Sequence, residues 1–238
     1  MLKQEQLSTS PISYHDHAGH DHHHSHSHGD FDHEESPFTL NKESNLKDYL
    51  YNNRLWAEKM NETKPGLFES NGKGQNPHTL WIGCSDSRYN ETVLNISPGE
   101  VFTFKNIANM ISIDDLTTVS TLEFSINVLK VKKIIICGHT DCGGIWNSLS
   151  YNDLGPTNSN LQNYLKQIDE LRDLKINELN EISNLKLRAK KLAEFNVLKQ
   201  LDILKRQKPV INAVAKGELE IWGLMYNVDS GFLEVIEQ

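Results

Sequence analysis

Cysteine is scarce in this chain, with three residues among 238. A small and odd number of cysteines argues against a disulfide framework. It favours metal or redox chemistry in a compartment that keeps thiols reduced.

Basic residues and long apolar runs are also lacking. Asp and Glu number 32 against 24 Lys and Arg, and the resulting net charge of -8 disfavours a nucleic-acid partner. No run approaches the roughly 20 consecutive apolar residues that span a bilayer. Residues 1–14 show neither the apolar core of a signal peptide nor the Arg-rich pattern of a transit peptide. We therefore predict a cytoplasmic protein with no nucleic-acid and no membrane partner.

Histidine, by contrast, is concentrated in one segment. Nine of the 11 histidines lie between His15 and His33, interleaved with Asp, Ser and Gly. Residues 1–40 hold almost nothing that could build a core, so we predict a disordered tail there and one domain over residues 41–238. Clustered imidazoles bind zinc, copper or nickel, so the tail could load or buffer metal. A solvated tail without function is an equal alternative.

Apolar runs and helical periodicities alternate along the predicted domain. We predict buried strands over residues 79–84, 101–104 and 133–138, and two closing strands over 219–224 and 232–236. Helices are predicted from a cap at Ser44, over 114–130, between 158 and 206, and over 209–215, with a loop over 65–77. This alternation predicts an α/β fold with a mainly parallel β-sheet flanked by helices.

Two short polar segments follow the first and third buried strands: CSDSR from Cys84 and HTDCGG from His139. If the two strands are neighbours, their carboxyl ends bring Cys84, His139 and Cys142 together. Two thiolates and one imidazole suit tetrahedral zinc, and three protein ligands leave the fourth position that a catalytic site needs. The residues therefore predict a catalytic zinc site.

Other interpretations of these residues stay open at this point. A structural zinc site would need a fourth ligand, which Cys137 could supply, although its place within an apolar run favours the core. Cys84 and Cys142 could be redox partners, although they do not form a C-x-x-C pair. Asp86 and Arg88 could be a solvated ion pair without a catalytic role.

The two motifs together resemble those of the β-class carbonic anhydrases. The C-x-D-x-R and H-x-x-C-G pair carries the resemblance, which runs from about residue 44 to the C-terminus and includes Pro98-Gly99-Glu100, Asn106-Ile107-Ala108-Asn109 and Asn196-Val197. Lys105 stands where many members have arginine, and fungal members resemble this chain there. The resemblance implies the β-carbonic anhydrase fold, with the His-rich tail as an addition outside it.

The resemblance also implies a site and an activity. Cys84, His139 and Cys142 would hold one zinc ion per subunit, and Asp86 and Arg88 would form the catalytic dyad. The reaction would be the reversible hydration of carbon dioxide to bicarbonate and a proton, with zinc-bound hydroxide as nucleophile. The partner would be a second copy of the chain, in a homodimer or a higher homo-oligomer. A metal-storage protein, and a hydrolase of carbon disulfide or carbonyl sulfide on the same site, are the alternatives.

The Asp86–Arg88 pair has a physical rationale in such a site. A carboxylate can accept the proton of the nucleophile and orient it, but a free carboxylate near zinc would bind the metal itself. Arg88 can hold both oxygens of Asp86 and keep them off the metal. In some members of the family the aspartate nevertheless moves onto the zinc, and the sequence leaves both arrangements open.

We expect the rate of hydration to rise through the alkaline range. Two thiolates cancel the charge of zinc, which three neutral histidines would not, so water on this zinc should be less acidic than the pKa of about 7 found at a three-histidine site. Initial rates measured by stopped flow in a series of buffers test this expectation. A flat profile between mildly acidic and alkaline pH would contradict it.

Overall fold

The computed structural model describes residues 37–150 and 159–238, so the histidines from His15 to His33 lie outside the described residues. The chain divides into two compact units, one that ends at Trp56 and one that runs from Ala57 to Gln238. The disordered tail over residues 1–40, and the domain boundary that follows it, stay predictions.

Strands and helices alternate along the described residues. The strands are β1 (Thr79–Cys84), β2 (Val101–Asn106), β3 (Lys133–His139), β4 (Glu220–Tyr226) and β5 (Leu233–Glu237). The α-helices are α1 (Leu46–Thr63), α2 (Leu67–Gly72), α3 (Leu116–Glu123), α4 (Gly143–Ser150), α5 (Asn160–Leu174), α6 (Ile176–Asn180), α7 (Leu185–Lys205) and α8 (Lys208–Ala215). In this described part of the chain, no helix combines the length and the apolar character needed to cross a bilayer.

The five strands form one sheet in the order β2-β1-β3-β4-β5. The first four in that order run parallel, and β5 pairs antiparallel with β4, with a bulge between Gly223 and Leu224. β1 is buried along its whole length and β3 along all but its first residue. Strands covered on both faces read as unbroken apolar runs, which is why these two could be recognised in the sequence. The predicted α/β fold with a mainly parallel sheet is confirmed.

Helix α7 packs on β3 and β4 at two glycines. A Cβ atom on Gly138 would lie 2.7 Å from Val197 Cγ2, and one on Gly223 would lie 2.6 Å from Leu201 Cδ1. Neither distance leaves room for a carbon–carbon contact, so only glycine lets the helix approach this closely. The position of α7 over the sheet is therefore set by the absence of two side chains.

The first helix has its cap one residue later than the predicted Ser44 and begins at Leu46. Asn45 Oδ1 accepts a hydrogen bond of 2.9 Å from the Lys47 N–H, and Asp48 accepts one of 2.7 Å from the Asn45 N–H. This reciprocal arrangement is that of a capping box, with Asn45 as the cap. The Ser44 hydroxyl instead accepts a hydrogen bond from the Asn41 N–H.

Three other segments are divided differently from the prediction. Residues 65–77, predicted as a loop, contain α2, which starts directly after a left-handed glycine at Gly66. The pattern between residues 158 and 206 holds three helices, because the backbone leaves helical geometry at Lys175 and again before Asn184. The helix predicted over residues 114–130 ends at Glu123 and continues as a π-helical turn, Phe124–Val128.

Candidate metal centre

The carboxyl ends of β1 and β3 bring three potential metal ligands together. Cys84 is the last residue of β1, and His139 is the last residue of the neighbouring β3. Cys142 follows a turn in which Asp141 has a φ of 59°, and it directly precedes α4. The candidate ligand atoms of Cys84, His139 and Cys142 all lie within 4.8 Å of one another, and all three residues are buried.

The His139 ring presents one nitrogen to this cluster. Its Nδ1 lies 2.9 Å from the Thr140 carbonyl oxygen. A carbonyl can only accept a hydrogen bond, so Nδ1 carries the proton and Nε2 keeps its lone pair. Nε2 is buried and has no hydrogen-bond partner in the described part of the chain. An orphaned imidazole nitrogen beside two sulfur atoms fits a soft divalent cation, and the carbonyl contact is the support that metal-bound histidines usually have.

The two sulfur atoms form a coupled pair. Cys84 Sγ and Cys142 Sγ are 3.9 Å apart. The hydrogen bond from Cys142 lowers the pKa of Cys84, whereas the same bond, together with burial, raises the pKa of Cys142. The two opposite shifts have one physical cause: the two sulfurs are close enough for a proton on one to be shared with the other. A cation that binds both thiolates would displace that proton.

The third cysteine lies apart from this chemistry. Cys137 is fully buried inside β3, and its thiol donates to the Gly138 carbonyl at 3.3 Å. Burial raises the pKa of this thiol, which keeps it protonated. The ligand cluster found among residues 37–150 and 159–238 has three members and does not include Cys137. Cys137 is therefore a core residue, and the geometry supports the three-ligand site over the four-ligand one.

Asp86 and Arg88 lie at the edge of the cluster and bind each other in two places. Arg88 Nε donates to Asp86 Oδ1 at 3.0 Å, and its Nη2 donates to Asp86 Oδ2 at 2.8 Å. Asp86 Oδ2 in turn lies 3.8 Å from His139 Nε2. The hydrogen bonds from Arg88 lower the pKa of Asp86 to about 2, so this group is a carboxylate at physiological pH.

Comparison with known proteins identifies the family. A family model described as carbonic anhydrase matches residues 79–233. The chain belongs to the carbonic anhydrases. A relative from Saccharomyces cerevisiae named carbonic anhydrase is 46% identical to it, over 84% of this chain and 93% of its own length. Another from Candida albicans, with the same name, is 44% identical, over 86% of this chain and 73% of its own length. A solved structure, one of two tetrameric β-carbonic anhydrases from Sordaria macrospora, superposes with a TM-score of 0.74 at 34% identity, covering 79% of this chain and 94% of that one.

The predicted assignment to a β-class carbonic anhydrase of fungal type is thus confirmed, and with it the prediction of a lyase that hydrates carbon dioxide. The model match extends over β1 to the start of β5, and so it includes both polar segments. The His-rich tail lies outside the matched residues.

Asp141 lies beside the candidate metal centre and holds Arg88, a contact that could not be seen in the sequence. Its carboxylate accepts 2.6 Å hydrogen bonds from Arg88 Nη1 and from Trp146 Nε1, and its carbonyl accepts one of 2.8 Å from Arg88 Nη2. Arg88 is therefore held between two carboxylates, and this lowers the pKa of Asp141. The only sequence signal was an aspartate between two candidate ligands, His139 and Cys142.

Tyr89 is a second residue whose role the sequence does not reveal. Its hydroxyl donates to the Cys137 carbonyl at 2.6 Å and accepts from the Cys84 N–H at 2.7 Å, so it joins the ends of β1 and β3. Its ring lies 4.8 Å from that of His139 and stacks on Tyr226 at 5.3 Å. Burial raises the pKa of Tyr89, so the phenol stays protonated and keeps donating.

We expect Tyr89→Phe to destabilise the enzyme by about 1–3 kcal/mol, because the ring stays and the buried Cys84 N–H loses its acceptor. Unfolding in urea measures this change in the free energy of unfolding. Tyr164→Phe is the matched control, since the Tyr164 hydroxyl donates over a longer distance, 3.3 Å, from a side chain that is 39% exposed. Equal effects of the two substitutions would contradict the bridging role of Tyr89.

Proposed function

We propose that Cys84, His139 and Cys142 hold one catalytic zinc ion per subunit, and that this enzyme thereby hydrates carbon dioxide reversibly to bicarbonate and a proton. Zinc bound there would polarise water and make it a stronger nucleophile. The observation that carries the proposal is the orphaned Nε2 of His139, which faces two thiols and lies beside an anchored carboxylate.

The donor set favours zinc among the common divalent metals. Two thiolates and an imidazole are soft and borderline ligands, which zinc binds well. Calcium, magnesium and manganese favour oxygen ligands instead. Three protein ligands leave one tetrahedral position for water or substrate. Because the three residues are buried, the protein contributes a fixed and largely desolvated ligand set.

Asp86 is the group that we assign to proton handling and orientation. A carboxylate whose pKa is about 2 is ready to accept a hydrogen bond from the nucleophile at every physiological pH. Both of its oxygens contact Arg88, and Arg88 is itself held by Asp141. This double anchoring supports an arrangement in which Asp86 stays off the metal and water takes the fourth position.

Replacement of a ligand tests the metal assignment. Cys84→Ser should lose zinc, because a neutral hydroxyl replaces a thiolate, and turnover should fall by about 100-fold or more, because water without the metal is far less acidic. Zinc content by atomic emission and carbon dioxide hydration by stopped flow are measured on the same samples. Cys137→Ala is the matched control, since it removes a buried thiol on β3 that is not in the cluster, and it should keep its zinc.

The same two measurements on a variant of Asp86 distinguish the role of the dyad from that of the metal. Asp86→Asn should keep its zinc and lose about 100- to 10,000-fold in turnover, because a neutral amide is a weaker acceptor than a carboxylate and cannot offer two oxygens to Arg88. Turnover that survives the loss of zinc from Cys84→Ser would overturn the proposed mechanism. Zinc loss from Cys137→Ala equal to that from Cys84→Ser would overturn the ligand assignment.

We also propose that the enzyme works as a homodimer or a higher homo-oligomer in the cytoplasm. Leu46, Tyr49 and Leu50 are all exposed on α1, a helix that contains no buried residue although the structure describes it completely. Burying such a face against a second copy would be favourable, because it removes apolar surface from water. A reducing compartment would protect the paired thiols of Cys84 and Cys142 from oxidation.

Light scattering on the full chain should therefore give a mass of at least two copies of the 27.2 kDa chain. Leu50→Glu together with Tyr49→Glu should reduce this mass, since a charged face on α1 could not be buried against a partner. Lys47→Glu is the control, because it changes charge at a polar position of the same helix. A wild type of 27.2 kDa at micromolar concentration would contradict the proposal.

A further inference from the structure

The segment that follows β2 has an unusual backbone held by its own side chain. Asn106 Nδ2 donates to the Met110 carbonyl at 2.7 Å, and Asn106 Oδ1 accepts from the Met110 N–H at 2.7 Å. Within this closed loop, Ala108 has a φ of 60° and Asn109 a φ of 47°. Two consecutive left-handed residues other than glycine cost free energy, so the surrounding structure must hold them in place.

The strained backbone places one N–H group at the candidate metal centre. The Ala108 N–H donates to Cys84 Sγ at 3.3 Å. Ala108 is fully buried, so this hydrogen bond to sulfur is shielded from bulk solvent. Donation to a thiolate draws charge from the sulfur and fixes its direction.

Two buried amides on α7 hold this loop from the opposite side. Asn196 Nδ2 donates to the Ala108 carbonyl at 2.8 Å, and Gln200 Oε1 accepts from the Ile111 N–H at 2.7 Å. The amides are also joined to each other, since Gln200 Nε2 donates to Asn196 Oδ1 at 2.9 Å. They stand four residues apart on one face of the helix, and they are 1% and 0% exposed.

Core packing alone does not explain amides at these two positions. Leucine and methionine would fill similar volumes without the desolvation that a buried amide requires. Asn196 reaches the carbonyl of Ala108 itself, and Gln200 reaches the N–H of Ile111, two residues after Asn109. Each hydrogen bond in the chain Ile111–Gln200–Asn196–Ala108 polarises the next, so the contacts act together on the orientation of Ala108.

We propose that Asn196 and Gln200 are positioning residues that hold the Ala108 N–H against Cys84 Sγ and thereby set how much charge this thiolate donates to the bound metal. The inference rests on the proposed zinc site and adds to it a control element located on α7. Among the described residues, the hydrogen bonds of the two amides go to Ala108, Ile111 and each other, and none goes to Cys84, His139 or Cys142. They act on the Cys84 sulfur through the backbone of Ala108.

The test uses the full-length enzyme loaded with cobalt(II) in place of zinc, because the near-ultraviolet absorption of cobalt bound to thiolate reports the charge on sulfur. Asn196→Leu should move the charge-transfer band to longer wavelength, since the sulfur loses its hydrogen bond. It should shift the midpoint of the pH–rate profile of the zinc enzyme upward, because the sulfur would donate more negative charge to zinc and water bound there would become less acidic. Zinc affinity, measured by competition with a chromophoric chelator, should fall about 10- to 100-fold.

Two further variants keep the test decisive. Gln200→Met should shift the band and the midpoint in the same direction but by less, because Asn196 still reaches Ala108, and it decides the question if Asn196→Leu does not fold. Leu204→Val is the control, since Leu204 is fully buried on the same helix and should lower thermal stability without moving the band or the midpoint.

The inference is overturned if Asn196→Leu and Gln200→Met lower thermal stability as Leu204→Val does and leave the cobalt band and the pH midpoint unchanged. A wild type that takes up neither zinc nor cobalt at one ion per subunit would overturn the proposed function as well. A wild type that loads normally while the variants remain spectroscopically unaltered would overturn the role of the amides alone.

Discussion

β1 and β3 lie side by side in parallel, with Gly83 opposite Cys137. Strands paired in this way end at the same edge of the sheet, so the residues that follow them meet without a long connecting loop. Arg88 can reach Asp141, and Tyr89 can join Cys84 to Cys137, because the two strand ends are at the same level. A shift of one residue in this pairing would turn Cys84 to the other face of the sheet, and the three candidate ligands would no longer lie together.

Much of the centre could be predicted because its signals are local. Buried strands are visible as apolar runs, and Cys84 and His139 stand where such runs stop, so their meeting required only that the strands be neighbours. Asp141 and Tyr89 could not be assigned in the same way. The first depends on how far the Arg88 side chain reaches across two loops, and the second on a hydroxyl that bridges two backbones. Neither distance is encoded in residue spacing.

The helices show the same division between local and tertiary information. The sequence indicated a helical pattern between residues 158 and 206, but not that the chain leaves helical geometry at Lys175. It also drew attention to Asn196 and Val197 without giving either a partner. The partner of Asn196, Ala108, is 88 residues away and adopts a conformation that alanine rarely takes in isolation. Contacts of this kind emerge only when the sheet and helix are assembled.

The close approach of α7 to Gly138 links two of the three candidate ligands mechanically. Gly138 directly precedes His139, and the side chain nearest to it belongs to Val197, which directly follows Asn196. A single methyl group at Gly138 would therefore press on β3 next to the imidazole and, through α7, on the loop that supports the Cys84 sulfur. The smallest change possible at that position would disturb the two sides of the metal centre together, although it adds no atom to the centre itself.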